Sequence, residues 1–344
     1  MKPEQSERFF VESLVKQSIE RGKINDREVR EIDKLTGDAS TRRYYRVQAD
    51  KDSYVVCVAD PVIEGKDQSP FLQVHRALHE NKVRVPHLPD TMLDRGYYLE
   101  EDLGDVTLLH RLADIESEKE ELELYKKSID LVLAIHAIDP ERYRQEQFTK
   151  MAFDEEKLMN EVLFTIKFFI KRFLKCELSL EDESIIVSTF LDICRKIENE
   201  HRVLTHRDYH SRNLMVKGDE MIVIDFQDAR MGIPQYDLVS LLEDCYYQLS
   251  PENVDKLKKY YWESFPAKHA FQNSYHNFCY YYDLMAMQRV FKAIGSFGFI
   301  YAGRQDLRYV KYIGYGMEKL RSLLLKYPEY NGLRKALSRV YYGN

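Results

Sequence analysis

Asp208, Asn213 and Asp225 are the residues whose types and spacing best serve chemistry in this chain. Asp208 and Asn213 stand five positions apart in Thr205-His206-Arg207-Asp208-Tyr209-His210-Ser211-Arg212-Asn213, so one loop can present both. A carboxylate there can orient a hydroxyl nucleophile and take its proton, while a side-chain carbonyl oxygen further along can hold a metal ion. Leu214-Met215-Val216 and Met221-Ile222-Val223-Ile224 are apolar, β-forming runs separated by Lys217-Gly218-Asp219-Glu220, which predicts a hairpin with a Gly-Asp turn. Folding that hairpin brings Asn213 and Asp225 together at its open ends. Magnesium needs a few hard oxygen ligands of this kind and takes the rest of its octahedron from phosphates and water. The chemistry implied is transfer of the ATP γ-phosphoryl group to a hydroxyl, with Asp208 as the catalytic base and Asn213 and Asp225 as metal ligands. A lone Asp and Asn at this spacing would signify only turn residues. The neighbouring His206-Arg207, the hairpin and the Asp225-Phe226 at its exit make the combination specific.

The elements that must hold these side chains read as two regions. Phe10, Val11, Leu14, Val15 and Ile19 form an apolar stripe at helical spacing, with Gly22 as the helix end. β-rich segments follow at Val29–Leu35, Tyr44–Gln48 and Tyr54–Ala59, with Gly37-Asp38-Ala39-Ser40 turning between the first two. A helix over Pro70–Asn81 and a strand pair around Thr91-Met92-Leu93 and Tyr97-Tyr98-Leu99 complete a small sheet with one helix on it. Beyond Glu100-Glu101-Asp102-Leu103-Gly104, apolar residues recur at three and four over 118–138, 154–174, 182–199, 236–248, 253–264, 275–297 and 308–326. The fold class expected is α+β and bilobal, with a small antiparallel-sheet lobe over residues 1–101 and a larger, mainly helical lobe over 102–344. The hinge falls at about residues 100–104, and a ligand cleft is expected between the lobes.

Composition narrows the class of partner. With 344 residues and 44% hydrophobic content the chain can build two sizeable cores. A formal charge of −6 gives no general attraction to nucleic acid or an anionic membrane, so neither is expected as a partner. Five scattered cysteines without a C-x-x-C pair suit reduced thiols and a cytoplasmic location. The polar N-terminus has no apolar signal core and no run approaches the length of a membrane span. A monomer is expected.

Four segments extend this reading: Gly37-Asp38-Ala39-Ser40-Thr41-Arg42-Arg43-Tyr44-Tyr45-Arg46, Leu99-Glu100-Glu101-Asp102-Leu103-Gly104, the loop with Asp225-Phe226-Gln227-Asp228-Ala229-Arg230, and Asp283-Leu284-Met285-Ala286-Met287-Gln288-Arg289. Through them the chain resembles the aminoglycoside phosphotransferase and choline kinase superfamily, which shares the bilobal protein-kinase-like fold. Within it, the chain is similar to the bacterial kinases that phosphorylate the anomeric hydroxyl of N-acetylmuramate or N-acetylglucosamine in cell-wall recycling. The resemblance implies ATP and Mg2+ as cofactors and a small-molecule sugar as acceptor. It makes Gly37, Ser40 and Thr41 the phosphate-covering turn and the backbone of Glu101 to Leu103 the adenine-binding hinge.

One departure stands out. Many kinases carry a phosphate-binding lysine on the third strand, but Tyr54-Val55-Val56-Cys57-Val58-Ala59-Asp60 has none. Arg42, Arg43 or Arg46 could supply the charge, since a guanidinium binds phosphate bidentately, and Arg43 is included among the nucleotide-binding candidates. His206 and Arg207 are expected to brace the loop. Arg212, Asp228, Asp237 and Arg289 are candidate substrate residues, with Asp237 equally suited to capping a helix and Arg289 able to meet an acidic sugar's carboxylate. Cys57, His75 and His79 read as packing or surface residues. Three rivals remain. A protein kinase is disfavoured by the short interval between Asp225 and Asp237. A choline or aminoglycoside kinase could use Tyr246-Tyr247 and Tyr280-Tyr281-Tyr282 as an aromatic cation site, and a pseudokinase would explain the absent lysine.

Overall fold

The computed structural model of the chain describes residues 3–35, 42–61 and 69–343, so the expected turn with Gly37, Ser40 and Thr41 lies outside the described residues. Helix α1 (Pro3–Glu20) precedes a five-stranded antiparallel sheet in the order β1-β2-β3-β5-β4. Its strands are β1 (Val29–Leu35), β2 (Arg43–Ala49), β3 (Ser53–Val58), β4 (Asp90–Met92) and β5 (Tyr97–Glu101), with α2 (Pro70–Glu80) between β3 and β4. Side chains alternate across a strand, so each strand serves two faces. Tyr45, Val47, Val56, Tyr97 and Leu99 pack on Val11, Leu14 and Val15 of α1. On the opposite face the row Tyr44, Cys57 and Tyr98, in direct cross-strand register, joins the core containing Phe71, Val74 and Leu78 of α2.

From residue 102 onward the chain is mainly helical. The helices are α3 (Leu108–Ala113), α4 (Glu118–His136), α5 (Gln147–Lys150), α6 (Glu155–Thr165), α7 (Leu180–Glu198) and α8 (Gln235–Leu242). They continue as α9 (Pro251–Ser264), α10 (Tyr275–Arg304), α11 (Lys311–Leu325) and α12 (Asn331–Tyr342). Side-chain caps explain many of the starts: Ser117, Asp154, Ser179, Ser250 and Ser274 each accept the N–H three residues on. Two antiparallel pairs interrupt the helices, β6 (Val203–Thr205) with β9 (Arg230–Gly232) and β7 (Leu214–Lys217) with β8 (Glu220–Val223). The second pair is the expected hairpin, with Gly218 at φ +61° in its turn. Phe226 stacks on Phe71 with ring centroids 5.0 Å apart, joining the hairpin exit to α2.

Helix α10 is the axis of this region, buried without interruption from Tyr282 to Phe291. It packs against α6, which runs on into a π-helical stretch, Ile166–Phe173. The approach is close because Gly295 faces Thr165, whose hydroxyl donates to the Phe291 carbonyl at 3.1 Å. A Cβ on Gly295 would lie 2.2 Å from Thr165 Oγ1 and 2.7 Å from its Cα. Gly295→Ala is therefore expected to destabilise the fold by about 1–3 kcal/mol, seen as a lower urea midpoint at unchanged m-value.

Candidate active site

The loop from His206 to Asn213 connects β6 to β7, and buried groups hold it in place. Asp237, in the first turn of α8, accepts the His206 N–H at 2.6 Å and the Arg207 N–H at 3.0 Å. His136 Nε2 approaches the same carboxylate at 3.2 Å. Further along, Asp244 accepts both the Ser211 N–H, at 3.0 Å, and its hydroxyl, at 2.5 Å. Tyr209 donates to the Ser128 carbonyl at 2.7 Å, and the His206 ring contacts the Ile224 carbonyl at 2.9 Å. These contacts stabilise uncommon backbone: Arg207 has φ 84° and Asp225 has φ 63°. They also correct one expectation. Asp237 is fully buried with its oxygens taken by the loop, so it is a positioning residue and not a sugar ligand.

Asp208, Asn213 and Asp225 are brought together. The Asn213 amide nitrogen donates to the Asp208 carbonyl at 2.9 Å and lies 3.4 Å from Asp225 Oδ2. With nitrogen as the donor, the amide oxygen is the atom available to a cation. Burial pushes the Asp225 carboxyl upward and Asp208 adds to this, against the Gln227 bond and the charges of His206 and Arg42. A dication between Asn213 and Asp225 would relieve that repulsion. Among the described residues no cluster of three or more His, Cys, Asp or Glu could hold a metal.

Asp208 is surrounded by positive charge. Arg289 Nη2 lies 3.2 Å and Lys292 Nζ 3.1 Å from the same oxygen, Oδ1, while Arg207 Nε is 3.6 Å from Oδ2. Burial would raise the Asp208 carboxyl, but Lys292, Arg207 and Arg289 outweigh it and hold the group well below its usual range. Lys292 escaped sequence reasoning. Its position three residues after Arg289 on one helix was the available signal. Arg207 also pairs with Asp228 at 2.8 Å, which occupies that half-exposed candidate carboxylate within the protein. Beside Asp208 opens a cavity of ≈ 130 Å³, whose lining includes His210, Ser240, Tyr246, Arg289, Lys292 and Phe297. Burial, with Arg289 and Lys292 nearby, pushes His210 down to about 3, so its imidazole is neutral. Arg212 does not line this space. Its guanidinium lies over the rings of Tyr246 and Tyr309 at 5.1 and 5.5 Å, a correction to its assignment as a substrate residue.

On the sheet side, strand alternation separates the three arginines. Arg43 faces α1 and pairs with Glu7, on the side of the sheet opposite Arg42, so its nucleotide-binding assignment is corrected. Arg46 forks onto Asp102 at 2.8 and 3.1 Å and reaches Asp105 at 2.9 Å, joining the sheet to the segment after β5. Arg42 points to the metal-binding candidates, donating to Gln227 Oε1 at 3.0 Å, and Gln227 in turn donates to Asp225 at 2.8 Å. Glu100 lies buried near Arg42 and is pushed up to about 7 by that burial, with Arg42 opposing. Glu101 uses its N–H on the His87 carbonyl at 2.9 Å and its carboxylate on Arg84 and Lys217 at 2.8 and 3.0 Å. Its N–H is thus committed within the protein, so any contact of Glu101 with a nucleotide base would fall to its carbonyl oxygen. Leu103 packs with Met215, Ile222 and Ile224 in a small apolar cluster that joins the segment after β5 to the hairpin.

A two-region fold with a base candidate, paired oxygen ligands and an arginine on the sheet face defines a protein-kinase-like phosphotransferase. The phosphotransferase enzyme family model matches residues 31–271. A relative from Pseudomonas aeruginosa named N-acetylmuramate/N-acetylglucosamine kinase is 30% identical, the match covering 91% of this chain and 89% of that protein. One of the same name from Neisseria meningitidis is 28% identical over 85% of each chain. The ADP-bound aminoglycoside phosphotransferase APH(2'')-Ib superimposes with a TM-score of 0.55 at 18% identity, covering 89% of this chain and 98% of that one. This chain belongs to the phosphotransferase enzyme family.

Glu100 makes stability depend on pH. Its folded-state value of about 7 exceeds the ordinary 4.5, so the stability it contributes is complete below pH 4.5 and lost as pH rises through 7. Relative to Glu100→Gln, the wild-type protein should lose about 3 kcal/mol between pH 4.5 and about pH 8. Urea denaturation of both proteins across that range checks this, and parallel stability curves would contradict it.

Proposed function

We propose that this chain is an ATP-dependent, Mg2+-requiring kinase that phosphorylates the anomeric hydroxyl of an N-acetylated amino sugar, N-acetylmuramate or N-acetylglucosamine. The observation that carries the reading is the convergence of Asp208 with Asn213 and Asp225 beside a cavity walled by Arg289 and Lys292. The names of the two bacterial relatives supply the sugar. In this reading Asn213 and Asp225 hold magnesium, which screens the phosphate charge when bound. Asp208 orients the acceptor hydroxyl for in-line attack and takes its proton as the phosphorus–oxygen bond forms. An anomeric hydroxyl is more acidic than an ordinary alcohol, so a weakly basic carboxylate suffices. Arg42 stands in for the strand lysine at the phosphates, and Leu103 with Met215 and Ile222 underlies the adenine. Residues 1–101 and 102–344 form the two lobes around the nucleotide, with the hinge at about 100–104. The enzyme works in the cytoplasm, where ATP is available, as a monomer.

The cationic surroundings of Asp208 argue against choline and aminoglycosides, which carry the same sign of charge. The tyrosine clusters argue likewise: Arg212 lies over Tyr246, Tyr282 donates to Glu243 at 2.8 Å, and Tyr247 donates to Glu121 at 2.6 Å. Purified protein given ATP, Mg2+ and a panel of amino sugars, choline and aminoglycosides should phosphorylate the sugars. Turnover of choline alone, or ATP binding without turnover, would reject the proposal. Asp208→Asn should lower kcat by roughly 10²- to 10⁴-fold at near-normal ATP affinity. Arg42→Ala should raise the KM for ATP roughly 10-fold while leaving the KM for sugar nearly unchanged.

A further inference from the structure

Lys292 has more binding capacity than the protein uses. Its ammonium carries three donors, and among the described residues its partner is the single Asp208 oxygen that Arg289 also contacts. Arg289 has a second acceptor, Ser240 Oγ at 3.0 Å. Other carboxylates around the cavity are engaged elsewhere: Glu243 pairs with Lys319 at 2.6 Å, and Asp244 accepts from Ser211 and the Tyr246 N–H. When Asp208 takes a proton from an acceptor hydroxyl, Lys292 loses the charge opposite it. His210 lines the same space, and its buried Nδ1 has no hydrogen-bond partner among the described residues. The cavity, ≈ 130 Å³, is about ten times what one water requires. Asp208 lines it while Asn213, Asp225 and Arg42 do not, which favours a group of the acceptor over the nucleotide as its occupant.

We propose that Lys292, with Arg289 and His210 beside it, forms a subsite for an anionic substituent of the acceptor, so the enzyme prefers a carboxylate-bearing amino sugar to a neutral one. This rests on the sugar-kinase reading. The carboxylate binds Lys292 by a charge-assisted hydrogen bond, and the apolar part of the same substituent packs on Tyr246 and Phe297. Lys292 is thereby a specificity residue, while Asp208 keeps its role at the hydroxyl.

The test compares kcat/KM for N-acetylmuramate, its methyl ester and N-acetylglucosamine. In the wild-type protein the acid should exceed both the ester and the neutral sugar by roughly 10- to 100-fold. Lys292→Met disturbs Asp208 and lowers all three, but the ratio of acid to neutral sugar should fall toward one, and Lys292→Arg should restore it. A wild-type protein that turns over acid and ester equally would overturn the subsite and leave the sugar-kinase reading standing. Loss of the same factor for every acceptor in Lys292→Met would also overturn it, assigning Lys292 to Asp208 alone. Absence of turnover with any sugar would overturn both.

Discussion

A single buried carboxylate organises the candidate site. Asp237 takes the backbone N–H groups of His206 and Arg207 into one side chain, and His136 approaches it from α4. Two successive amides aimed at one acceptor require a tight backbone path, and Arg207 follows it at φ 84°. Asp208 comes next in the chain, so its direction is a consequence of that path. Because the supporting residues lie on α4 and α8, the geometry of a loop is set by rigid helices.

A second constraint is electrostatic. Asp208 sits among Arg207, Arg289 and Lys292, which keep it ionised at the expense of basicity. Such a carboxylate is suited to orienting a nucleophile and receiving its proton late, as a phosphoryl transfer with little covalent demand on the protein requires. The same charges repel a cationic acceptor and attract an anionic one. One cluster therefore bears on both reactivity and selection, because a low-dielectric cavity strengthens each effect.

The sheet contributes through alternation. Adjacent positions Arg42 and Arg43 reach opposite faces, one to Gln227 beside Asp225 and the other to Glu7 on α1. Phe71 of α2 stacking on Phe226, and Arg46 of β2 forking onto Asp102, tie the helix and the sheet of this region to the chain beyond β5 at two places. Movement of the sheet would thus carry Arg42 with respect to Asp225.

Local pattern alone determined a good deal of this protein: the strands from Val29 to Glu101, the hairpin after Asn213, and the helical segments beyond were legible because apolar periodicity and turn residues act over a few positions. The proximity of Asn213 and Asp225 was legible too, since a hairpin with a short turn must bring its open ends together. Tertiary structure decided what depended on distant partners. Spacing from Arg289 places Lys292 on the same helix face, but only the packing of α10 against the loop brings either of them to Asp208, 84 residues from Lys292. Asp237 read as a possible ligand because its two amide partners lie about thirty positions earlier, 31 and 30 residues back. Arg43 read as a phosphate ligand because the face it occupies is fixed by register against β3 and by the packing of α1. Arg212 was diverted by Tyr309, a ring 97 residues away. Side-chain direction and charge environment are properties of the assembled core, where helices remote in sequence supply the counter-charge, and so they could not be read from spacing alone.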